Sequence, residues 1–377
     1  MPLSARSILD LGLASRKLTA LITLPPVRVE LGSCAHRPTA GLADEHRVPS
    51  RRPAANPSDL RSRRILFLAD PDPDYVADGL FHGLRELLGA NVVDWPKRSP
   101  MYRGAELSRL YGRGFGPYGL LSDLEVDRRN VFADSWDLVV SAVLWRDWQY
   151  WRTAWNAFGS SVRHVVVDGG DLPFIYPYGP AWWRPTRLFL PRAHKRAMYF
   201  KREWTRLTML AAGRRVHLEP ISISYPAEKM VTSVPAKTED FPAHIVDLEL
   251  GKRLGRELAH ERAYVFDTEE DYLTNLRASR FGVTTRRAGW DAQRHLEIAG
   301  AGAIPCFRDL QDKPATCAPH GLIDGENCVA YRDADGLLAR LDELTEADVV
   351  RMSHASLAWA HKNTTLKRAT DFLERTS

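Results

Sequence analysis

An α/β fold with parallel strands is predicted by three features of the sequence. Short continuous apolar runs, such as Ile65–Ala69 (ILFLA), Leu138–Val143 and His164–Val167, have the length and composition of strands buried on both faces. A helical pattern follows the first run, with Val76, Leu80, Leu84 and Leu87 on one face and Gly89 as its stop. Another apolar run, Asn91–Trp95, comes next. Strand–helix–strand alternation of this kind implies a parallel sheet with right-handed crossovers. The third feature is length: 377 residues suit two domains of this type.

Composition narrows the class. The chain is 44% hydrophobic and 26% charged, ordinary for a globular protein, with a net charge of +5. An excess of that size suits nucleotides, phosphorylated substrates or an anionic surface, and it falls short of a nucleic-acid-binding profile. Four cysteines without close spacing argue against a disulfide framework and structural zinc, and for a cytoplasmic protein. No run is long and apolar enough to span a bilayer. Leu18–Val27 follows two cations in a weak signal-peptide shape, but no small-residue cleavage site comes after it.

Residues 1–63 form the first division. From His36 to Arg64 the chain is rich in Pro, Arg, Ala and Ser and lacks periodicity, so a disordered basic tail is expected. A tether to anionic lipid at the inner membrane face is the alternative role for such a tail.

Residues 64–215 read as the first domain. Its strands run into polar turns, Asp70-Pro71-Asp72-Pro73-Asp74 after the first and Asp168-Gly169-Gly170-Asp171 after the fourth. Ligands of open α/β sheets bind beyond the carboxyl ends of strands, where both turns fall. Asp70-x-Asp72 matches a metal-binding DxD pattern only in a Pro-rich loop, so no metal is expected. Eight of the eleven Trp lie between Trp136 and Trp204, and Trp145, Trp148, Trp151 and Trp155 follow helical spacing. Packing explains such a stripe better than sugar stacking does. The basic, aromatic stretch Arg192–Arg206 reads as a solvated face, within which Phe200-Lys201-Arg202-Glu203 falls near the expected hinge.

Residues 216–377 read as the second domain, opened by a strand in Val216–Ser224. A helical pattern over Pro242–Ala263 and a short strand at Tyr264–Phe266 follow. Thr268 then caps a helix opening on Glu269, Glu270 and Asp271. Next come a strand at Phe281–Val283, a basic loop at Thr284–Gly289, a helix from about Asp291, and a strand at Ala303–Phe307. A loop rich in cations at a helix N-terminus is a phosphate site in waiting. On that helix Ala292, Leu296 and Ala299 should pack inward, while Asp291, Arg294 and Glu297 share another face. A carboxylate there can accept both hydroxyls of a ribose while Arg286, Arg287 and Arg294 take a diphosphate. An ion pair between Arg294 and Glu297 on a surface helix explains the spacing equally well.

The segment SRFGV…GWDAQRHLEIAGAGAIPCF resembles the donor-binding segment of glycosyltransferases with the GT-B architecture, above all exostosin-like and family 1-like bacterial members. Ser279, Phe281, Gly289, Arg294, Glu297, Gly302 and Pro305 carry the likeness. It implies two Rossmann-like domains facing a cleft, a nucleotide-sugar donor, no cofactor and no metal. It also implies that Glu297 holds the ribose, and that Thr284, Thr285, Arg286, Arg287, Gly289, Trp290, Asp291, Arg294 and His295 line the donor site. The first Glu of the pair found in many retaining members is missing, since Gly289 stands there. A carbohydrate, lipid-linked or other small acceptor would meet the first domain. Asp168, Asp171, Asp74 and His82 are base candidates, each equally explained as a cap or turn residue. Transfer of a polyol phosphate and non-catalytic nucleotide binding remain alternatives on the same scaffold.

Overall fold

Two parallel sheets carry the chain. The computed structural model describes residues 62–70, 72–107, 114–142, 144–179, 190, 197–213, 216–256 and 265–377. The tail expected at 1–63 therefore falls almost wholly outside the described residues.

The first sheet has six parallel strands. β1 (Ile65–Leu68) is buried throughout and leads into α1 (Tyr75–Leu88), whose N-cap is Asp74 and whose stop is Gly89. β2 (Val92–Trp95), β3 (Leu138–Ala142), α2 (Leu144–Phe158), β4 (Arg163–Asp168), β5 (Met198–Lys201), α3 (Arg206–Ala212) and β6 (His217–Pro220) follow. The strand order is β2-β1-β3-β4-β5-β6. Because all six are parallel, the turns after β1, β4 and β5 gather at one edge. β6 pairs with β5, so the strand read as opening the second half closes the first sheet instead. Its alternation gives no hint of which neighbour it pairs with.

Along α2, Trp151 is fully buried and flanks His164 at 4.9 Å, as packing predicts, whereas Trp145 stays half-exposed at the strand-end edge. Of the pattern over Pro242–Ala263, α4 (Leu248–Arg253) is a helix and 257–263 lie outside the described residues. Val265 and Phe266 form no strand; Phe266 packs beside Tyr272 instead.

The second sheet contains β7 (Phe281–Thr285), β8 (Ile304–Arg308) and β9 (Val329–Tyr331), in that order and parallel. α5 (Glu269–Ala278) precedes it, with Thr268 accepting from the N–H of Asp271 as the sequence predicts. Between β7 and β8 runs α6 (Gln293–Gly300). α7 (Ala334–Asp342), α8 (Glu346–His361) and α9 (Thr365–Arg375) finish the chain.

α9 packs against α1 of the first sheet. A β-carbon on Gly83 would lie 1.9 Å from the carbonyl oxygen of Thr365, so only glycine lets the two backbones approach this closely. One apolar core draws on both halves: Phe67, Leu80, Leu84 and Val167 join Leu296, Ala299 and Phe372. Leu296 and Ala299 thus bury the face that their spacing predicts.

Candidate functional site

The loop joining β7 to α6 is built from both halves. Phe281 and Val283 anchor β7 in the core of the second sheet, leaving Arg286 and Arg287 exposed at its carboxyl end. The helix starts at Gln293, with Ala292 as N-cap, so Asp291 is not part of it. Asp291 turns instead toward the first half, where its Oδ2 accepts from the N–H of Ile223 at 2.7 Å. Burial, opposed by Arg202, pushes this carboxyl up to about 6.

Arg202 and Glu203, in the turn after β5, hold the loop. Glu203 Oε1 accepts from the N–H groups of Trp290 and Asp291 at 2.8 and 3.0 Å, and Arg202 donates to the Asp291 carbonyl at 2.7 Å. A protein carboxylate therefore takes two N–H groups of the loop just ahead of the helix, within the stretch where the sequence suggests phosphate. Gly289 explains itself here. A β-carbon would stand 2.6 Å from Glu203 Oε1 and 2.9 Å from Asp171 Oδ1. The tetrapeptide noted near the hinge carried the signal for Arg202 and Glu203; nothing in it disclosed their target.

His295 is interior. Its Nε2 lies 2.9 Å from the Trp290 carbonyl, which can only accept, so Nε2 carries the proton and Nδ1 accepts from the Thr284 hydroxyl at 3.0 Å. Burial pushes it down to about 4 and keeps the ring neutral. Thr284, Trp290 and His295 are thus supports of the loop, each nearly inaccessible. The guanidinium of Arg286 lies 4.8 Å over the Trp290 ring, while Thr285 is half-buried at the strand end.

Glu297 is buried beneath the helix start. Its Oε2 accepts from the Tyr272 hydroxyl at 2.8 Å and its Oε1 from Gln293 Nε2 at 2.6 Å. Burial raises its pKa against the pull of Arg294. The same Gln293 amide also reaches the carbonyl of Phe115 at 3.3 Å, so a first-half loop closes over the pair. That loop is fixed further by Glu269, which accepts from the N–H of Gly116 at 2.8 Å.

Above Glu297 the charge is positive. Arg294 Nη2 donates to His244 Nε2 at 3.3 Å. Burial, then Arg294, then Arg287 push His244 down to about 3, which keeps the imidazole neutral. Neither His244 nor Tyr272 was singled out in the sequence as part of the site.

The base candidates fare differently. Asp168 pairs with Lys201 at 3.0 Å and accepts from the N–H of Gly170. Asp171 pairs with Arg202 and borders Gly289, which brings it to the β7–α6 loop. Asp74 caps α1 by accepting from Val76 and Ala77, as a cap residue should. His82 lies in the seam between α1 and α9, 3.0 Å from Thr365 Oγ1 and 3.2 Å from Glu228, about two helical turns from Asp74. It stands apart from the strand-end carboxylates. Asp70 pairs with Arg146 and accepts from the N–H of Asp72 in a local turn.

Two parallel α/β units that share a core, with strand-end loops meeting at one place and a last helix returning to the first unit, define the GT-B fold of glycosyltransferases. A glycosyltransferase from Rickettsia africae ESF-5 matches with a TM-score of 0.50 and 10% identity, over 84% of this chain and 96% of its own. HepE of Anabaena in complex with UDP and glucose matches with a TM-score of 0.49 and 11% identity, over 83% and 99%. Sucrose-phosphate synthase from Thermosynechococcus elongatus gives 0.49 and 11%, over 83% and 98%. At such identities the likeness concerns the fold. No protein-family profile and no curated protein sequence matches the chain. Among the described residues no helix is long and apolar enough to cross a membrane.

Proposed function

We propose that the protein is a glycosyltransferase moving a sugar from a nucleotide-sugar donor to a small acceptor. The observation that carries this reading is Arg294, which hydrogen-bonds a neutral His244 and whose charge acts on the buried carboxylate of Glu297, with Tyr272 touching both of these side chains. Like charges crowded together are held for an anion. Arg286, Arg287 and Arg294 take the donor diphosphate and neutralise the charge that develops as it leaves, without metal. The ribose hydroxyls reach Glu297 by replacing the donors Gln293 and Tyr272. Asp171, at the loop itself, is the favoured base among the first-half carboxylates, ahead of Asp168.

The likeness of the Ser279–Phe307 segment favours an exostosin-like or family 1-like member. Contact with an anionic membrane face belongs to the same reading. One observation favours a non-catalytic nucleotide-binding protein of this fold: Glu203 already occupies two N–H groups of the loop that leads into the helix.

A thermal-shift panel of nucleotides and nucleotide sugars tests the reading. A matching nucleotide diphosphate at about a hundredfold over its Kd raises the wild-type Tm by roughly 4–8 °C. Arg294→Ala and Glu297→Ala weaken that response. Absence of any response in the wild type sinks the assignment. Binding without release of nucleotide diphosphate from any sugar donor, across an acceptor panel, favours the non-catalytic protein.

A further inference from the structure

We propose that Trp145 is a platform on which a neutral saccharide stacks, and that this saccharide is the acceptor; the second part rests on the transferase reading. Along α2 the tryptophan stripe splits. Trp151 is fully buried, Trp148 packs against the same core cluster, and Trp155 lies 5.1 Å from the His164 ring. Trp145, in the first turn of α2, is 43% exposed, whereas every other tryptophan among the described residues is buried or half-buried. Packing therefore accounts for three members of the stripe. The fourth lies at the carboxyl edge of the first sheet, where open α/β sheets bind ligands. A β-carbon on Gly170 would stand 4.0 Å from Trp145 Nε1 and 3.0 Å from Asp168 Oδ1, so the N–H edge of the indole borders the Asp168–Asp171 turn. Asp171, one residue on, is exposed, and its Oδ1 lies 2.9 Å from where a β-carbon on Gly289 would be. A ring seated on the indole thus comes next to the favoured base and the β7–α6 loop.

The rim selects the class of ligand. The Arg146 guanidinium lies 5.8 Å from the Trp145 ring centroid, and its Nε is 3.2 Å from Asp70 Oδ2. Asp168 pairs with Lys201 at 3.0 Å, and Asp171 pairs with Arg202. These carboxylates, each matched by a cation, leave no net charge for a phosphate or an ammonium group to neutralise. What the rim offers is donors and acceptors side by side, on Arg146, Asp70 and Asp171. A hydroxyl, itself both donor and acceptor, satisfies that pattern. An aromatic ring bordered by such groups suits a sugar, whose C–H face lies on the indole while its hydroxyls reach the rim. An alkyl chain would cover the ring and leave the polar groups beside it without partners.

Saturation-transfer NMR of the full chain with the methyl glycosides of glucose, galactose, mannose and N-acetylglucosamine tests it. At least one of them takes saturation from the wild-type protein, and its 6-phosphate takes less. Trp145→Ala raises the Kd of that glycoside at least about fivefold, while Trp145→Phe, which keeps an aromatic face, raises it less. Trp145→Ala keeps the wild-type Tm, since the side chain is already exposed, and keeps the Tm shift given by the nucleotide panel. No glycoside bound by the wild type, equal binding by Trp145→Ala, or tighter binding of the 6-phosphate overturns the proposal. Glycoside binding that depends on Trp145 in a protein answering no nucleotide keeps the saccharide site and refutes the transferase reading alone.

Discussion

Glu203 and Asp291 show how single carboxylates set this site. Glu203 satisfies two buried N–H groups at once, and its loss leaves both without an acceptor. Glu203→Ala lowers the unfolding free energy by about 2–4 kcal/mol in urea titration, while Glu203→Gln, which keeps an acceptor oxygen, costs less. Equal stability of Glu203→Ala and wild type would show that the loop stands without it. Asp291 gives a pH signature. Folding raises its pKa from 3.8 to about 6, so the folded chain binds this proton more tightly than the unfolded one. Its contribution is greatest below pH 4 and declines as pH rises to about 6. Asp291→Asn, neutral throughout, removes that decline, so its stability relative to wild type rises between pH 4 and 7. Parallel pH profiles for the two proteins would contradict the assignment.

At the scale of elements, the seam between α1 and α9 and the loop between β7 and α6 do different work. The seam holds the C-terminal helix on the first sheet, and Gly83 sets its spacing. Gly83→Ala forces a methyl group onto the Thr365 carbonyl and lowers stability by at least about 2 kcal/mol, read as a drop in Tm. An unchanged Tm would mean that the helices slide apart without cost. The loop is held by Arg202, Glu203 and Ile223 from the first half and by His295 and Thr284 from its own. His295 was a ligand candidate on sequence position alone. Its two hydrogen bonds and complete burial make it the post around which the loop turns. The ends of α1 and the start of α5 were legible from the cap and stop residues Asp74, Gly89 and Thr268, because those signals act within a few residues. β6 was misassigned because pairing partners are chosen across the fold.

For the whole molecule, one shared core has a consequence for unfolding. Phe67 and Leu84 pack in the same cluster as Leu296 and Phe372, and Pro53–Ser377 forms one compact unit. Two sheets joined in this way unfold together. Far-UV circular dichroism and tryptophan fluorescence should therefore give coincident urea transitions; separate midpoints would show that the halves are independent.

The sequence by itself determined the parallel α/β character, the order of strand, basic loop, helix and strand in the second half, and the charge that this loop carries. Those follow from local periodicity and from the charges that a short segment carries. Only the tertiary structure decided which of the residues face outward. Arg286 and Arg287 do and Arg294 is half-buried; Thr284, Trp290, Asp291, His295 and Glu297 are enclosed by neighbours from distant parts of the chain. The reason is physical: a loop's N–H groups and carboxylates take whichever partner packing brings within hydrogen-bond reach. Here packing brings Glu203 to Trp290 and Asp291, and Tyr272 to Glu297.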